Sequence, residues 1–144
     1  MRLLLTIFAC SLAGAAVASD AGGCLAGRKQ ALIDGHFTGP IICSAVDATF
    51  ERIGTTQGYG YTIYDYRFLA KDETTAFWGQ KVVIFHGSLY IGQYDLSPPP
   101  FAEMSVNDAQ LILGADEDDE VRLELSSLPP AQMYLNGRME RFHR

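Results

Sequence analysis

Residues 81–94, KVVIFHGSLYIGQY, hold two apolar runs about a tight turn, and neither run alternates between apolar and polar positions. Successive side chains of a strand point to opposite faces. One face of this hairpin therefore takes Val82, Ile84, Leu89 and Ile91, and the other takes Val83, Phe85, Tyr90 and Tyr94. A ribbon that is apolar on both faces belongs in the middle of a sheet and needs a cover on each side: helices over one, a second layer or a ligand space against the other. Either His86-Gly87 or Gly87-Ser88 can make the two-residue turn. The two registers differ by two residues, so both leave the same side chains on the same faces.

A second strand reads the same way. YGYTIYDYRFLAK, residues 59–71, is rich in aromatic and β-branched residues. Its odd positions give Tyr59, Tyr61, Ile63, Asp65, Arg67 and Leu69, its even positions Thr62, Tyr64, Tyr66, Phe68 and Ala70, so both of its faces call for cover as well. Helices are expected upstream. CLAGRKQALID, residues 24–34, predicts a short helix ending at Gly35. A second is bracketed by Pro40 at a first helical position and Gly54 just past the end, with Ile42, Val46, Thr49, Phe50 and Ile53 recurring every three or four residues.

Downstream, Pro98-Pro99-Pro100 ends the hairpin strand and makes a stiff connector. A short meander follows over 102–106, 109–115 and 120–126, and then a last hairpin about Asn136-Gly137, residues that accept the left-handed angles of a type I′ turn. Met133 and Leu135 share their face with Arg138 and Glu140, which suits a sheet edge. The expected class is α+β, two N-terminal helices packed on a mostly antiparallel sheet of about six or more strands, in a single domain over 19–144.

The first 18 residues combine Arg2, an apolar run from Leu3, and Ala16-Val17-Ala18, the pattern of a secretory signal peptide cleaved near Ala18. The run is too short for a transmembrane span. The protein is accordingly expected to be secreted or periplasmic. Beyond the leader the chain keeps Cys24 and Cys43, and an even pair in an exported protein predicts one disulfide. It also keeps 10 of the 11 Lys and Arg against all 17 Asp and Glu, a balance that opposes any polyanion at long range and removes nucleic acid from the expected partners.

Chemistry is sparsely signalled. His36, His86 and His143 are scattered along the chain, so neither a metal site nor a cofactor is expected. No GxSxG, HExxH, Walker loop or GxGxxG stands in the context that would give it meaning, and no enzymatic activity is expected. The strongest local anomaly is Asp116-Glu117-Asp118-Asp119-Glu120, inside a stretch from Asp95 to Glu124 that holds nine acidic residues and one basic one, Arg122. It lacks the glycine and the final glutamate of an EF-hand loop. It is instead expected to meet a basic protein partner, as an inhibitor or immunity-type protein does. Two other expectations stand beside that one. Tyr59, Tyr61, Tyr64, Phe85 and Tyr90 would line the cavity of an apolar-ligand carrier, and a small envelope hydrolase would need His86 within reach of a carboxylate.

Overall fold

The computed structural model describes residues 23–114 and 117–144. The expected leader, Asp116 and the side chain of Glu117 lie outside that description. A short helix α1 (Lys29–Asp34) precedes β1 (Ala48–Thr55), β2 (Tyr61–Lys71), β3 (Ala76–His86), β4 (Leu89–Leu96), β5 (Met104–Asn107), β6 (Gln110–Leu113), β7 (Val121–Glu124), β8 (Gln132–Leu135) and β9 (Arg138–His143). One six-stranded sheet runs β1-β2-β3-β4-β9-β8, and β5-β6-β7 form a second sheet. All pairings are antiparallel.

This corrects the α+β expectation. The fold is mostly β, and the N-terminal region contributes one helix of six residues rather than two helices on a sheet. The second expected helix is instead a loop leading into β1. Its stripe does not exist: Val46 is 88% exposed, while Phe50 and Ile53 join different cores on opposite faces of the sheet. Pairing decides the matter, because β1 takes up the ladder of β2 from Ala48↔Phe68 to Thr55↔Thr62, and a helix there would leave that edge open. Thr49, Phe50 and Ile53 also suit a pleated surface.

The first expected helix is shortened at its start. Leu25, Ala26 and Gly27 take φ of 53°, 52° and 73°, a left-handed turn in place of the first helical turn. At the other end the left-handed residue is His36, at φ 59°, not Gly35. The amides of His36 and Phe37 donate to the carbonyls of Ile33 and Leu32, which satisfies the helix terminus. Gly35 is required for another reason, since a Cβ there would collide with Tyr90.

Two cores result. On one face of the large sheet Tyr61, Ile63, Val82, Ile84, Tyr94 and Leu96 pack against Leu111, Leu113, Leu123 and Leu125, from and just beyond the small sheet. On the other face Tyr64, Tyr66, Phe68, Val83, Phe85 and Tyr90 pack beneath Leu25, Leu32, Phe37 and Ile42. Both layers that the central hairpin demanded are present, but one is a sheet and the other is a strap of loop carrying α1. Cys24 and Cys43 are disulfide-bonded and close that strap. The bond ties the turn before α1 to the loop before β1, not one helix to another.

Within the hairpin Gly87 opens the turn at φ 60° and His86 pairs with Leu89, so the turn is Gly87-Ser88. The expected face assignment needs one correction. Ile84 pairs with Gly92 but Phe85 pairs with Tyr90, so Ile91 is an extra residue that reverses the alternation. Tyr94 consequently lies with Val82 and Ile84, not with Tyr90. Gly92, at φ 152°, lets β9 cross here, because a Cβ would meet Phe142 and the carbonyl of His143.

Candidate functional site

The five residues expected to line a ligand cavity do not share one space. Tyr61 faces the small sheet, whereas Tyr64, Phe85 and Tyr90 lie under the strap. There Phe85 meets Tyr64 edge-on at 5.6 Å and Tyr90 at 5.9 Å, so rings fill the region. Tyr59, half exposed, stacks on Tyr61 at 5.3 Å. Surface clefts of about 240, 170 and 210 Å³ are smaller than the ~300 Å³ at which small-molecule sites begin. His86 is exposed beside Tyr59 and Tyr61, with ring centroids at 6.4 and 6.0 Å. The histidine within 4 Å of a carboxylate, among the described residues, is His143, 3.8 Å from Asp95. Among the described residues, no three His, Cys, Asp or Glu side chains group closely enough to hold a metal ion.

Of the acidic run, Asp118 and Asp119 are exposed in a 3₁₀ turn, and Glu120 pairs with Arg122 at 2.6 Å. Among the described residues no salt bridge joins a tail arginine to this run. Arg144 stands over the Phe142 ring, and Arg138 borders a cleft with Pro99 and Pro100.

The surface beside this run is the most distinctive in the molecule. β2 and β3 continue past their neighbours: the last partner in β1 is Ala48, opposite Phe68, and the last in β4 is Leu96, opposite Gln80. Beyond them the pairs Leu69↔Trp78, Ala70↔Phe77 and Lys71↔Ala76 continue as a two-stranded ribbon, tied on the β1 side only where the Leu69 amide donates to the Asp47 carbonyl at 2.7 Å. Three pairs carry it about 10 Å outward. Its turn is closed by the Asp72 carboxylate, which accepts from the amides of Thr74 at 2.8 Å and Thr75 at 2.7 Å. Those amides hold the Asp72 carboxyl below its ordinary value. Lys71 braces one side through Asp47 at 2.7 Å, a contact that likewise lowers Asp47. Along the ribbon Phe77 is 56% and Trp78 49% exposed.

Buried polar contacts anchor the base of the ribbon. The Gln80 amide donates to Asp65 at 3.0 Å and to the Ala102 carbonyl at 2.8 Å, and its oxygen accepts from the Ala102 amide at 2.8 Å. Arg67 donates to the other Asp65 oxygen at 2.8 Å. Burial still pushes the Asp65 carboxyl above its ordinary value, against the opposing pull of Gln80 and Arg67. On the strap side Lys81, with its side chain 8% exposed, donates to Asp95 at 2.6 Å and lies near the rings of Phe37 and Phe68. Gln93 links Asp95 to Thr38 of the strap.

The clip at Ala102 brings the connector's aromatic ring to the ribbon. Phe101 meets Trp78 edge-on at 5.8 Å, and the Arg67 guanidinium stands 4.9 Å over Phe101. Glu103 lies 3.8 Å from Arg67, its carbonyl accepts from the Gly114 amide, and Gly114 rests against Asp119. The aromatic prong and the described part of the acidic run, Asp118 to Glu120, therefore lie at one end of the molecule. At that end Arg67, Lys71 and Arg122 each already hold a carboxylate, while Asp72, Glu73, Asp118 and Asp119 pair with no cation among the described residues. Phe77, Trp78 and Phe101 were not singled out from the sequence. The available signal was the chain's one tryptophan, beside a phenylalanine, between a turn-forming DETT and Gly79.

No helix among the described residues is long and apolar enough to cross a membrane. The chain matches no protein-family model, no curated protein and no solved structure.

Proposed function

We propose that the protein is an exported, non-enzymatic binding protein that docks a basic protein partner through its ribbon end, in the manner of an inhibitor or immunity-type protein. One observation carries this reading: a braced ribbon exposes Phe77 and Trp78 at the end that carries Asp72, Glu73, Asp118 and Asp119, carboxylates that pair with no cation among the described residues. Aromatic side chains in a rigid frame supply contact area at little entropic cost, and an acidic rim steers a basic protein toward it. Rigidity here comes from the Gln80 clip and the Lys71 brace rather than from a covering layer. Secretion or a periplasmic location is part of the proposal, supported by the leader pattern and by a disulfide of a kind that persists in oxidising compartments.

The test is a titration of the protein against basic secreted hydrolases, with lysozyme and ribonuclease as the first probes, at low and at physiological salt. A complex is expected that weakens as salt rises and that Asp118→Asn with Asp119→Asn diminishes. Failure to bind any basic protein at low salt, or binding indifferent to salt and to these substitutions, would sink the proposal.

A further inference from the structure

We infer that the Trp78–Phe101 corner is an arginine-reading site, one that accepts a guanidinium from the basic partner in preference to a lysine ammonium. The inference rests on the docking proposed above and specifies its chemistry. The chain already holds one such arrangement: the Arg67 guanidinium lies 4.9 Å over the Phe101 ring while donating to Asp65 at 2.8 Å, a planar cation between a ring and a carboxylate. The Phe101 and Trp78 rings meet perpendicular, at 89°, and Trp78 remains 49% exposed. A half-open indole one ring away from the Arg67 guanidinium, which itself lies 3.8 Å from Glu103, offers an incoming cation what Arg67 has already found on Phe101. Glu103, with its side chain 67% exposed, lies next to that stack, and Asp72 and Glu73 close the ribbon above it.

Arginine suits this corner for physical reasons. A guanidinium is flat and weakly hydrated, so it can stack on an indole face while its edge donates to a carboxylate. An ammonium is compact and strongly hydrated and gains less from the same ring. A second copy of this chain is a poor occupant, because it would bring its own uncompensated carboxylates against these.

Trp78 is the one tryptophan of the chain, so its fluorescence reports on the corner directly. The exported chain, disulfide intact, is titrated at low salt with two capped peptides of equal charge, Gly-Arg-Gly-Arg-Gly and Gly-Lys-Gly-Lys-Gly. The arginine peptide is expected to shift the emission and to half-saturate at a concentration about ten-fold below the lysine peptide. In Trp78→Leu, followed by calorimetry, that preference is expected to vanish while weak charge-driven binding persists. Near-ultraviolet dichroism of the buried tyrosines checks that this variant is folded.

Equal affinity for the two peptides, or an arginine preference that survives Trp78→Leu, overturns the inference and leaves the docking proposal standing. So does binding of lysozyme with both peptides inert. A peptide-free dimer that quenches Trp78 overturns it as well. If neither the peptides nor any basic protein binds, both readings fall together.

Discussion

The two halves of β3 make an instructive pair. Residues from Gly79 to Phe85 are buried, while Ala76, Phe77 and Trp78 are exposed in the same strand, on the same partner β2. Apolar character does not separate them, since the exposed half carries the larger side chains. What differs is cover. The inner half lies between the small sheet and the disulfide-closed strap, and the outer half runs past both and past the flanking strands. Large apolar residues are thus a packing requirement in one half and an open surface in the other.

Several measurements can break or sharpen this contrast. The largest effect is expected from Phe85→Ala, which empties a fully buried site and should cost about 3–5 kcal/mol in urea denaturation. Replacing both cysteines by serine should lower stability by about 3 kcal/mol. Hydrogen exchange should then accelerate at Leu32 and Phe37 of the strap while the amides of Leu111 and Leu113 stay protected; uniform loss across both cores would mean that the layers do not act separately.

A smaller effect is expected at the ion pair beneath the strap. Asp95→Ala should cost about 1–2 kcal/mol, because it strands the buried Lys81 ammonium, yet less than a wholly buried pair, because the Asp95 side chain is 42% exposed. Lys81→Met should cost less than Asp95→Ala, and the reverse order would mean that the ammonium is not the group at risk. On the outer half Trp78→Ala should change stability by no more than about 0.5 kcal/mol. A loss as large as that of Phe85→Ala would show the prong to be covered and would break the comparison.

Acid titration separates the ribbon from its base by sign rather than by size. Carboxyl NMR should find Asp72 and Asp47 titrating below their ordinary 3.8 and Asp65 above it. Asp72 and Asp47 therefore stabilise the ribbon above pH 3.8, and that contribution is lost as pH falls through their lowered folded values. Asp65 runs the other way, favouring the fold below 3.8 and ceasing to do so as pH rises through its raised folded value. Acidification should accordingly loosen the amides of Thr74 and Thr75 before those around Gln80. A simultaneous loss would indicate that the turn carboxylate does not hold the tip.

How much of this was legible in the chain can be judged from particular residues. The alternation of Tyr61 and Ile63 against Tyr64 and Tyr66 assigned those residues to opposite faces, and Asn136-Gly137 marked its turn, at φ 51° and 75°. The pairing of Cys24 with Cys43 followed from there being two cysteines beyond the expected leader. The stripe from Ile42 to Ile53 was misleading, because a spacing of three and four residues also arises where a loop runs into a strand, and the deciding contact lies across the sheet in Phe68. The side on which Tyr94 falls depended on the extra residue at Ile91, which strand alternation cannot announce. The prong escaped notice because the local signal at Phe77 and Trp78, a turn beside two large aromatics, does not say whether those rings are covered.

By itself the sequence determined that this chain has a β ribbon with two apolar faces, a turn at Asn136-Gly137, its disulfide and its acid excess. These are local or compositional properties, set by the two-residue period of a strand, by the angles that glycine and asparagine accept, and by simple counting. Only the tertiary structure decided that strands replace the second helix, that a strap and a small sheet provide the two covers, and that Phe101 meets Trp78 beside Glu103. Burial and pairing are settled by residues distant along the chain, and a side chain's surroundings exist only once those residues have come together.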